Sequence, residues 1–317
     1  MTPKPRRSSL AHRSLLALTA ASALALTGCG SSDPLDGGAS ASAGGESGGG
    51  ASDAIVIGSQ QYYSNEIISE LYAQALEAEG FTVEREYQIG QREVYLPELE
   101  SGAIDVLPEY SGNLLQYYDA ESTASTPEDI HAALAEVLPE NLRALEPAEA
   151  TDQDSYNVTR EFAEEHSLTT LADLQNVDEP LTVAANSEFE SRPYGPEGLQ
   201  EVYGVDVSVV PVEDSGGPLT VKALVDGDVQ LADIYSADPS IQTQDLVTLE
   251  DPENLILPQN VTPIVSEAVN EDAAAVIEEV NSQLSAEELI DLNRQSVEDQ
   301  ASSADLATAW LTEQGLA

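Results

Sequence analysis

Apolar positions from Ala54 onward follow two alternating periods, which predict short strands and amphipathic helices. The run AIVIGS predicts a strand that ends in a turn of small residues. NEIISELYAQALEAEG predicts a helix with Ile67 and Leu71 on its apolar face and Gly80 at its end. FTVEREY predicts the next strand, and GAIDVLPEYSGN predicts a turn and a strand that ends near Tyr110. Such βαβ units predict a parallel sheet, with ligand-facing loops at the carboxyl ends of its strands.

The same alternation returns further along the chain and predicts a second α/β unit. Its strands are predicted at 181–186, 207–212 and 229–235, with helices that end beside glycines between them. A polar helix is predicted over 126–143, and residues 271–317 are predicted to be almost wholly helical. We therefore predict an α/β protein of two units, in which the second unit is inserted into the first.

The N-terminal segment has the pattern of an export signal. Four basic residues precede the apolar run SLLALTAASALAL, which spans 14–26. A membrane span needs about 20 apolar residues, so this run is too short to be a stable anchor. We therefore predict that residues 1–28 are a signal peptide.

The apolar run ends in LTGC, and Cys29 is the single cysteine of the chain. This position resembles a bacterial lipobox, which implies a lipidated cysteine as the mature N-terminus; the alternative is an ordinary signal peptide that happens to contain a cysteine. Residues 29–52 are rich in Gly and Ser and predict a flexible tether. The expected location is the outer face of the cytoplasmic membrane, with the protein held there by the lipid on Cys29.

The charge balance narrows the range of partners. The chain has 58 Asp and Glu against 11 Lys and Arg, a formal net charge of −47. A surface this negative repels nucleic acid and anionic lipid head groups, and it favours the approach of a cation. We therefore expect no nucleic-acid partner.

The residues offer little catalytic chemistry. The three histidines include His131 and His166, which lie in polar helices without a neighbouring His or Cys, so usual zinc or copper spacing is absent. No phosphate-binding loop, G-x-S-x-G turn or dinucleotide fingerprint is present in the sequence. We predict a binding protein without metal or cofactor rather than an enzyme.

Five stretches, in this order, resemble one protein family: IGSQQYYSNEIISELYAQALEAEGF, DVLPEYSGN, EFESRPYGPEGLQEVYG, LADIYSADPSIQTQDLVTLED and LSAEELIDLNRQ. The family is that of substrate-binding proteins of osmoprotectant ABC transporters, which bind glycine betaine, carnitine and choline. The resemblance runs from about Ala54 to Leu316.

The resemblance implies a two-lobed, periplasmic-binding-protein-like fold of type II, with two crossover strands and a ligand in the cleft between the lobes. The first lobe would comprise 53–152 plus 258–317, and the second 153–257. The protein would act as a monomer and would deliver its ligand to an ABC transporter permease.

A quaternary ammonium has no N–H to donate, so aromatic faces recognise it, at about 0.5 to 2 kcal/mol per ring. The resemblance places three cage tyrosines of the family at Tyr110, Tyr156 and Tyr235. At the fourth position, where the family often has a tyrosine, this sequence has Gln259, which offers an amide and no ring.

The departure at Gln259 leaves two alternatives open. Either the cage is completed elsewhere, by Tyr62, Tyr63 or Tyr194, or the ligand is another betaine, such as ergothioneine, or a polar solute. A non-transporting extracellular sensor on the same fold is a further alternative.

The resemblance also implies residues for the polar end of the ligand. Arg192 matches the position from which the family contacts a carboxylate, and a planar guanidinium suits that group. Gln60 and Asn113 could donate to a carboxylate or a hydroxyl without adding charge.

Overall fold

The computed structural model describes residues 54–317. The predicted signal peptide at 1–28, Cys29 and the tether at 29–52 lie outside the described residues.

The described part of the chain alternates short strands with helices. The strands, in chain order, are β1 (Ile55–Gly58), β2 (Val83–Glu86), β3 (Val106–Tyr110), β4 (Leu142–Ala144), β5 (Tyr156–Thr159), β6 (Leu181–Ala185), β7 (Val207–Pro211), β8 (Leu231–Asp233), β9 (Leu246–Thr248) and β10 (Val261–Ser266). The helices are α1 (Tyr63–Ala78), α2 (Arg92–Ser101), α3 (Ser111–Tyr118), α4 (Pro127–Val137), α5 (Arg160–His166), α6 (Pro196–Tyr203), α7 (Pro218–Val225), α8 (Ser240–Thr243), α9 (Glu271–Gln283), α10 (Ala286–Glu298) and α11 (Ser303–Gln314). Two 3₁₀ helices lie at Leu171–Asn176 and Ser187–Ser191.

The strands form two five-stranded sheets, one in each lobe of a two-lobed α/β fold. The first sheet has the order β2-β1-β3-β10-β4, and the second has the order β7-β6-β8-β5-β9. Each lobe has its own buried apolar core, which includes Leu71 and Val265 in the first lobe and Val183 and Leu199 in the second. The lobe boundaries at 152/153 and 257/258 stay predictions.

The prediction of parallel sheets is wrong for one strand in each sheet. β1 pairs in parallel with β2 and β3, and β6 with β7 and β8, but β10 and β5 run antiparallel to both of their neighbours. These two strands are the ones by which the chain enters a lobe from the other lobe. They therefore do not belong to the βαβ units that the periodicity indicated.

Two crossover segments connect the lobes. The first crossover segment, residues 145–155, leads from β4 to β5, and the second, residues 249–260, leads from β9 to β10. They run side by side, because Thr151 forms an antiparallel bridge with Asn260 and the amide of Val261 donates to the carbonyl of Ala150 at 3.0 Å.

Among residues 54–317, no helix combines the length and the apolar character that crossing a membrane requires.

Candidate binding site between the lobes

A cavity of about 40 Å³ lies between the two lobes. Its lining comes from the carboxyl ends of strands, from the turns and first helical turns after them and from both crossover segments: Gln60, Tyr62, Gln91, Arg92, Tyr110, Asn113, Asp152, Asp154, Asn186, Glu188, Phe189, Arg192, Tyr194, Asp233, Tyr235 and Gln259. The cleft is closed, because hydrogen bonds join the lobes beside this cavity, such as the one from Gln61 Nε2 to the Ser215 hydroxyl at 3.0 Å.

Three tyrosines, which we call the tyrosine cluster, meet at this cavity: Tyr62, Tyr110 and Tyr235. Tyr110 is the last residue of β3, Tyr62 precedes the first turn of α1, and Tyr235 follows β8 closely. The rings of Tyr62 and Tyr110 are stacked with centroids 6.4 Å apart, and those of Tyr62 and Tyr235 meet edge to face at 5.0 Å. Burial raises the pKa of all three phenols, so they are neutral at pH 7.

The second lobe contributes two further rings. Phe189 lies in the 3₁₀ helix after β6, and its ring meets that of Tyr194 edge to face at 5.9 Å. Tyr156, which was predicted as a cage wall, does not line the cavity. It packs behind Phe189 at 5.6 Å, is 1% exposed, and donates its hydroxyl to the carbonyl of Tyr194 at 2.8 Å.

Tyr63 also lies away from the cavity. As the first residue of α1, it points to a different groove and donates its hydroxyl to the Asp238 carboxylate at 2.8 Å. Of the three additional cage tyrosines predicted, the structure therefore brings Tyr62 and Tyr194 to the cavity and leaves Tyr63 outside.

Three buried aspartates share the cavity with these rings. Asp152 accepts from the Ser64 hydroxyl at 2.8 Å and from the Ala237 amide at 3.1 Å. Burial, with smaller contributions from the nearby carboxylates, raises its pKa to about 7 despite these two donors. Burial and the adjacent Asp154 carboxyl raise the pKa of Asp233 well above its usual range.

Gln259 is part of a hydrogen-bond network that fixes the centre of the cleft. Its side-chain amide donates to Asn113 Oδ1 at 2.8 Å and to Asp154 Oδ2 at 3.2 Å. Asn113 in turn donates to Asp154 Oδ2 at 2.7 Å and to the Tyr194 hydroxyl at 3.1 Å. The position without a ring therefore joins the two crossover segments and both lobes.

Gln60 offers an unused donor at the cavity. Its backbone amide donates to Asn65 Oδ1 at 2.8 Å, which fixes the turn after β1. Its side-chain nitrogen is buried and has no hydrogen-bond acceptor in the protein. Because an unpaired buried donor is unfavourable, this nitrogen is available to an acceptor oxygen of a ligand.

Both arginines at the cavity are already paired. Arg192 donates Nη1 and Nη2 to Glu93 at 2.7 and 3.3 Å, and Glu93 lies at the start of α2 in the other lobe. Arg92 donates Nε and Nη2 to Glu109 at 2.8 and 2.9 Å. Arg192, predicted at the ligand carboxylate, thus lines the cavity but directs two of its donors to an interlobe ion pair.

Gly112, in the YSGN motif, lies directly against the second crossover segment, which leaves no room for a side chain. Gly112 donates its amide to the Pro258 carbonyl at 3.1 Å. A Cβ at this position would lie 2.6 Å from the Pro258 carbonyl oxygen and 2.7 Å from the Leu257 side chain. A side chain would therefore push this segment, and Gln259 with it, away from the cleft.

Sequence reasoning missed the aspartates and Phe189. Asp233 could have been noticed, since it lies in the strand predicted over 229–235, two residues before Tyr235. Among residues 54–317, no group of three or more His, Cys, Asp and Glu side chains is arranged to hold a metal ion.

Known proteins resemble this chain in sequence and in structure. The glycine betaine-binding protein YehZ of Escherichia coli (strain K12) is 24% identical over 276 residues, which are 82% of this chain and 90% of that protein. The carnitine transport binding protein OpuCC of Listeria monocytogenes serotype 1/2a (strain 10403S) is 24% identical over 253 residues, 75% of this chain and 80% of that protein.

A crystal structure described as a glycine betaine/carnitine/choline ABC transporter superposes with a TM-score of 0.68 at 20% identity, covering 83% of this chain and 99% of that one. This likeness shows the two-lobed fold. The family model for the substrate binding domain of the ABC-type glycine betaine transport system matches residues 53–313. The chain therefore belongs to the family of substrate-binding domains of ABC-type glycine betaine transport systems.

Proposed function

We propose that this protein is the extracytoplasmic solute-binding component of an ABC importer, and that its cleft holds a compatible solute with a quaternary ammonium group, such as glycine betaine, choline or carnitine. The relatives named above, which bind glycine betaine or serve carnitine transport, support this class of ligand. The protein would pass the solute to a permease and would catalyse no reaction.

The observation that carries the proposal is the tyrosine cluster, which shares one closed cavity with three buried aspartates. Aromatic faces attract a methylated cation through their quadrupole, by about 0.5 to 2 kcal/mol per ring. Nearby carboxylates add a longer-range attraction that a buried site screens weakly. Both features suit an ammonium whose methyl groups prevent hydrogen bonding.

The proposed ligand site consists of the tyrosine cluster, Phe189 and Tyr194 around the ammonium. Gln60 is the unused donor for an oxygen at the other end. Gln259 and Asn113 act through the network that positions Asp154 and Tyr194. In this site Gln259 replaces a cage ring by a structural link, and Tyr62 supplies a ring elsewhere.

Calorimetric titration with choline and glycine betaine tests the site. Tyr235 is the best ring to change, because it is more exposed than Tyr62 and Tyr110. Tyr235→Phe keeps the ring face and should bind the better of the two ligands within about twofold of the wild type, whereas Tyr235→Leu should bind it about tenfold more weakly.

Tyr156→Phe is the matched control. It removes a hydroxyl that donates to the Tyr194 carbonyl behind the cavity wall, so the affinity should stay close to that of the wild type. If neither ligand bound, or if Tyr235→Leu kept the affinity of the wild type, the proposed site would be refuted.

Delivery to a permease is tested in cells. Deletion of the gene should abolish uptake of the radiolabelled ligand, and re-expression should restore it. Uptake that persists after deletion would instead favour a sensor on the same fold.

A further inference from the structure

The cavity holds an excess of negative charge. Four lining carboxyl groups have no cationic partner among residues 54–317: Asp152, Asp154, Asp233 and Glu188. Burial and the neighbouring Asp154 carboxyl raise the pKa of Asp233 well above its usual range, so the excess charge comes from the other three groups. Asp152, Asp154 and Asp233 are 3%, 7% and 6% exposed. Glu188 also has one carboxylate oxygen that is buried without any hydrogen-bond partner. Unpaired carboxylates are unfavourable in a protein interior, so their presence together in one cavity points to a positively charged ligand.

The two arginines at the cavity do not cancel this excess. Arg192 pairs with Glu93, and Arg92 pairs with Glu109, each through two hydrogen bonds. Each ion pair is neutral as a whole. A ligand carboxylate would have to compete with a protein carboxylate for either guanidinium, and it would enter a negative field.

The polar groups left for the far end of the ligand are uncharged. Gln60 has a buried side-chain nitrogen without an acceptor. Gln259 already donates to Asn113, and both donate to Asp154. Gln91 and Asn186 already donate to the Ser215 hydroxyl. One neutral donor matches a hydroxyl oxygen and does not offset the charge of a carboxylate.

Building on the proposed function, we propose that the cleft selects solutes with a net positive charge, so that a quaternary-ammonium alcohol such as choline binds more tightly than a zwitterion such as glycine betaine. Asp152 is the carboxylate that we use to test this selection. It lines the same cavity as the tyrosine cluster, is buried, and has no cationic partner among residues 54–317.

Parallel calorimetric titrations at about pH 8, where Asp152 is ionised, test the selection. The wild type should bind choline at least about tenfold more tightly than glycine betaine. Asp152→Asn should weaken choline binding by about tenfold and glycine betaine binding much less, because a zwitterion loses an attraction and a repulsion together. Asp206→Asn is the matched control, since Asp206 is exposed before β7, and it should leave both affinities unchanged.

Thermal unfolding would show whether Asp152→Asn is folded; if it is not, Glu188→Gln takes its place, with the same direction of change expected. Glycine betaine binding as tightly as choline to the wild type would overturn the selection and leave the proposed function standing. The selection would also be overturned if neither variant changed the ratio of choline affinity to glycine betaine affinity. If neither ligand bound, the proposed function itself would fail.

Discussion

The ion pair between Glu93 and Arg192 joins the two lobes across the cleft, and its removal should weaken ligand binding by favouring the open form. Glu93 lies in the first turn of α2, and Arg192 follows the 3₁₀ helix after β6. The two hydrogen bonds of 2.7 and 3.3 Å can form only while the lobes are closed, because the partners belong to different lobes.

The magnitude follows from the exposure of the pair. The Arg192 side chain is 14% exposed and the Glu93 side chain 46%, so solvent screens the interaction in part. An ion pair with two hydrogen bonds at such a site stabilises the closed state by about 1 kcal/mol. Where the open cleft dominates without ligand, losing 1 kcal/mol from the closed state weakens the apparent affinity about fivefold.

Glu93→Gln, Arg192→Gln and the double variant form a cycle that isolates this contribution. Each single variant should weaken choline binding, and the double variant, which removes both charges, should weaken choline and glycine betaine by the same factor, because the ion pair acts on closure and not on the ligand. The double variant should be little worse than either single one, and the loss should shrink at high salt. If Arg192→Gln abolished glycine betaine binding and spared choline, while Glu93→Gln had no effect, Arg192 would be a carboxylate ligand and the reasoning would fail.

Three further predictions concern pH, backbone packing and anchoring. Burial, with Asp154 and Asp238 nearby, raises the pKa of Asp152 to about 7, so the ligand-free protein should lose stability as the pH rises from about 4 through 7. Choline affinity should rise about fivefold between pH 6 and pH 8 as Asp152 ionises, and a flat affinity profile would contradict this. Gly112→Ala should lower the free energy of unfolding by about 1 to 3 kcal/mol in denaturant titrations, because its Cβ would overlap the second crossover segment; unchanged stability would mean that this segment gives way freely. Cys29→Ser should prevent incorporation of radiolabelled palmitate and release the protein from the membrane fraction; membrane association that persists would contradict a lipid anchor.

Local periodicity predicts most elements but not how the sheets are completed. The predicted strands at 181–186 and 207–212 are within one residue of β6 and β7. The helix predicted from Asn65 begins at Tyr63 in the structure, because Tyr62 is an N-cap without a side-chain hydrogen bond and so leaves no capping signal. The antiparallel β5 and β10 depend on chain crossings between lobes, which no local pattern encodes.

The residues that line the cavity could be predicted where they stand at the ends of strands. Tyr110 ends β3 and Tyr235 follows β8, and the carboxyl ends of these strands face the cleft. Tyr156 begins an antiparallel strand instead, and its ring lies behind the cavity wall. The three aspartates could not be singled out from the sequence, because the chain has 58 Asp and Glu residues. Arg192 was conspicuous because basic residues are scarce, but its partner is 99 positions away and could not be foreseen.

Two calorimetric titrations, one with choline and one with its uncharged analogue 3,3-dimethylbutan-1-ol, would show whether the cleft recognises the positive charge of the ammonium. The two molecules have the same shape, and they differ in the charge that the tyrosine cluster and the aspartates are proposed to recognise. Choline should bind, and the analogue should bind at least about tenfold more weakly. Equal binding of the two, or binding of neither, would contradict recognition of a quaternary ammonium in this cleft.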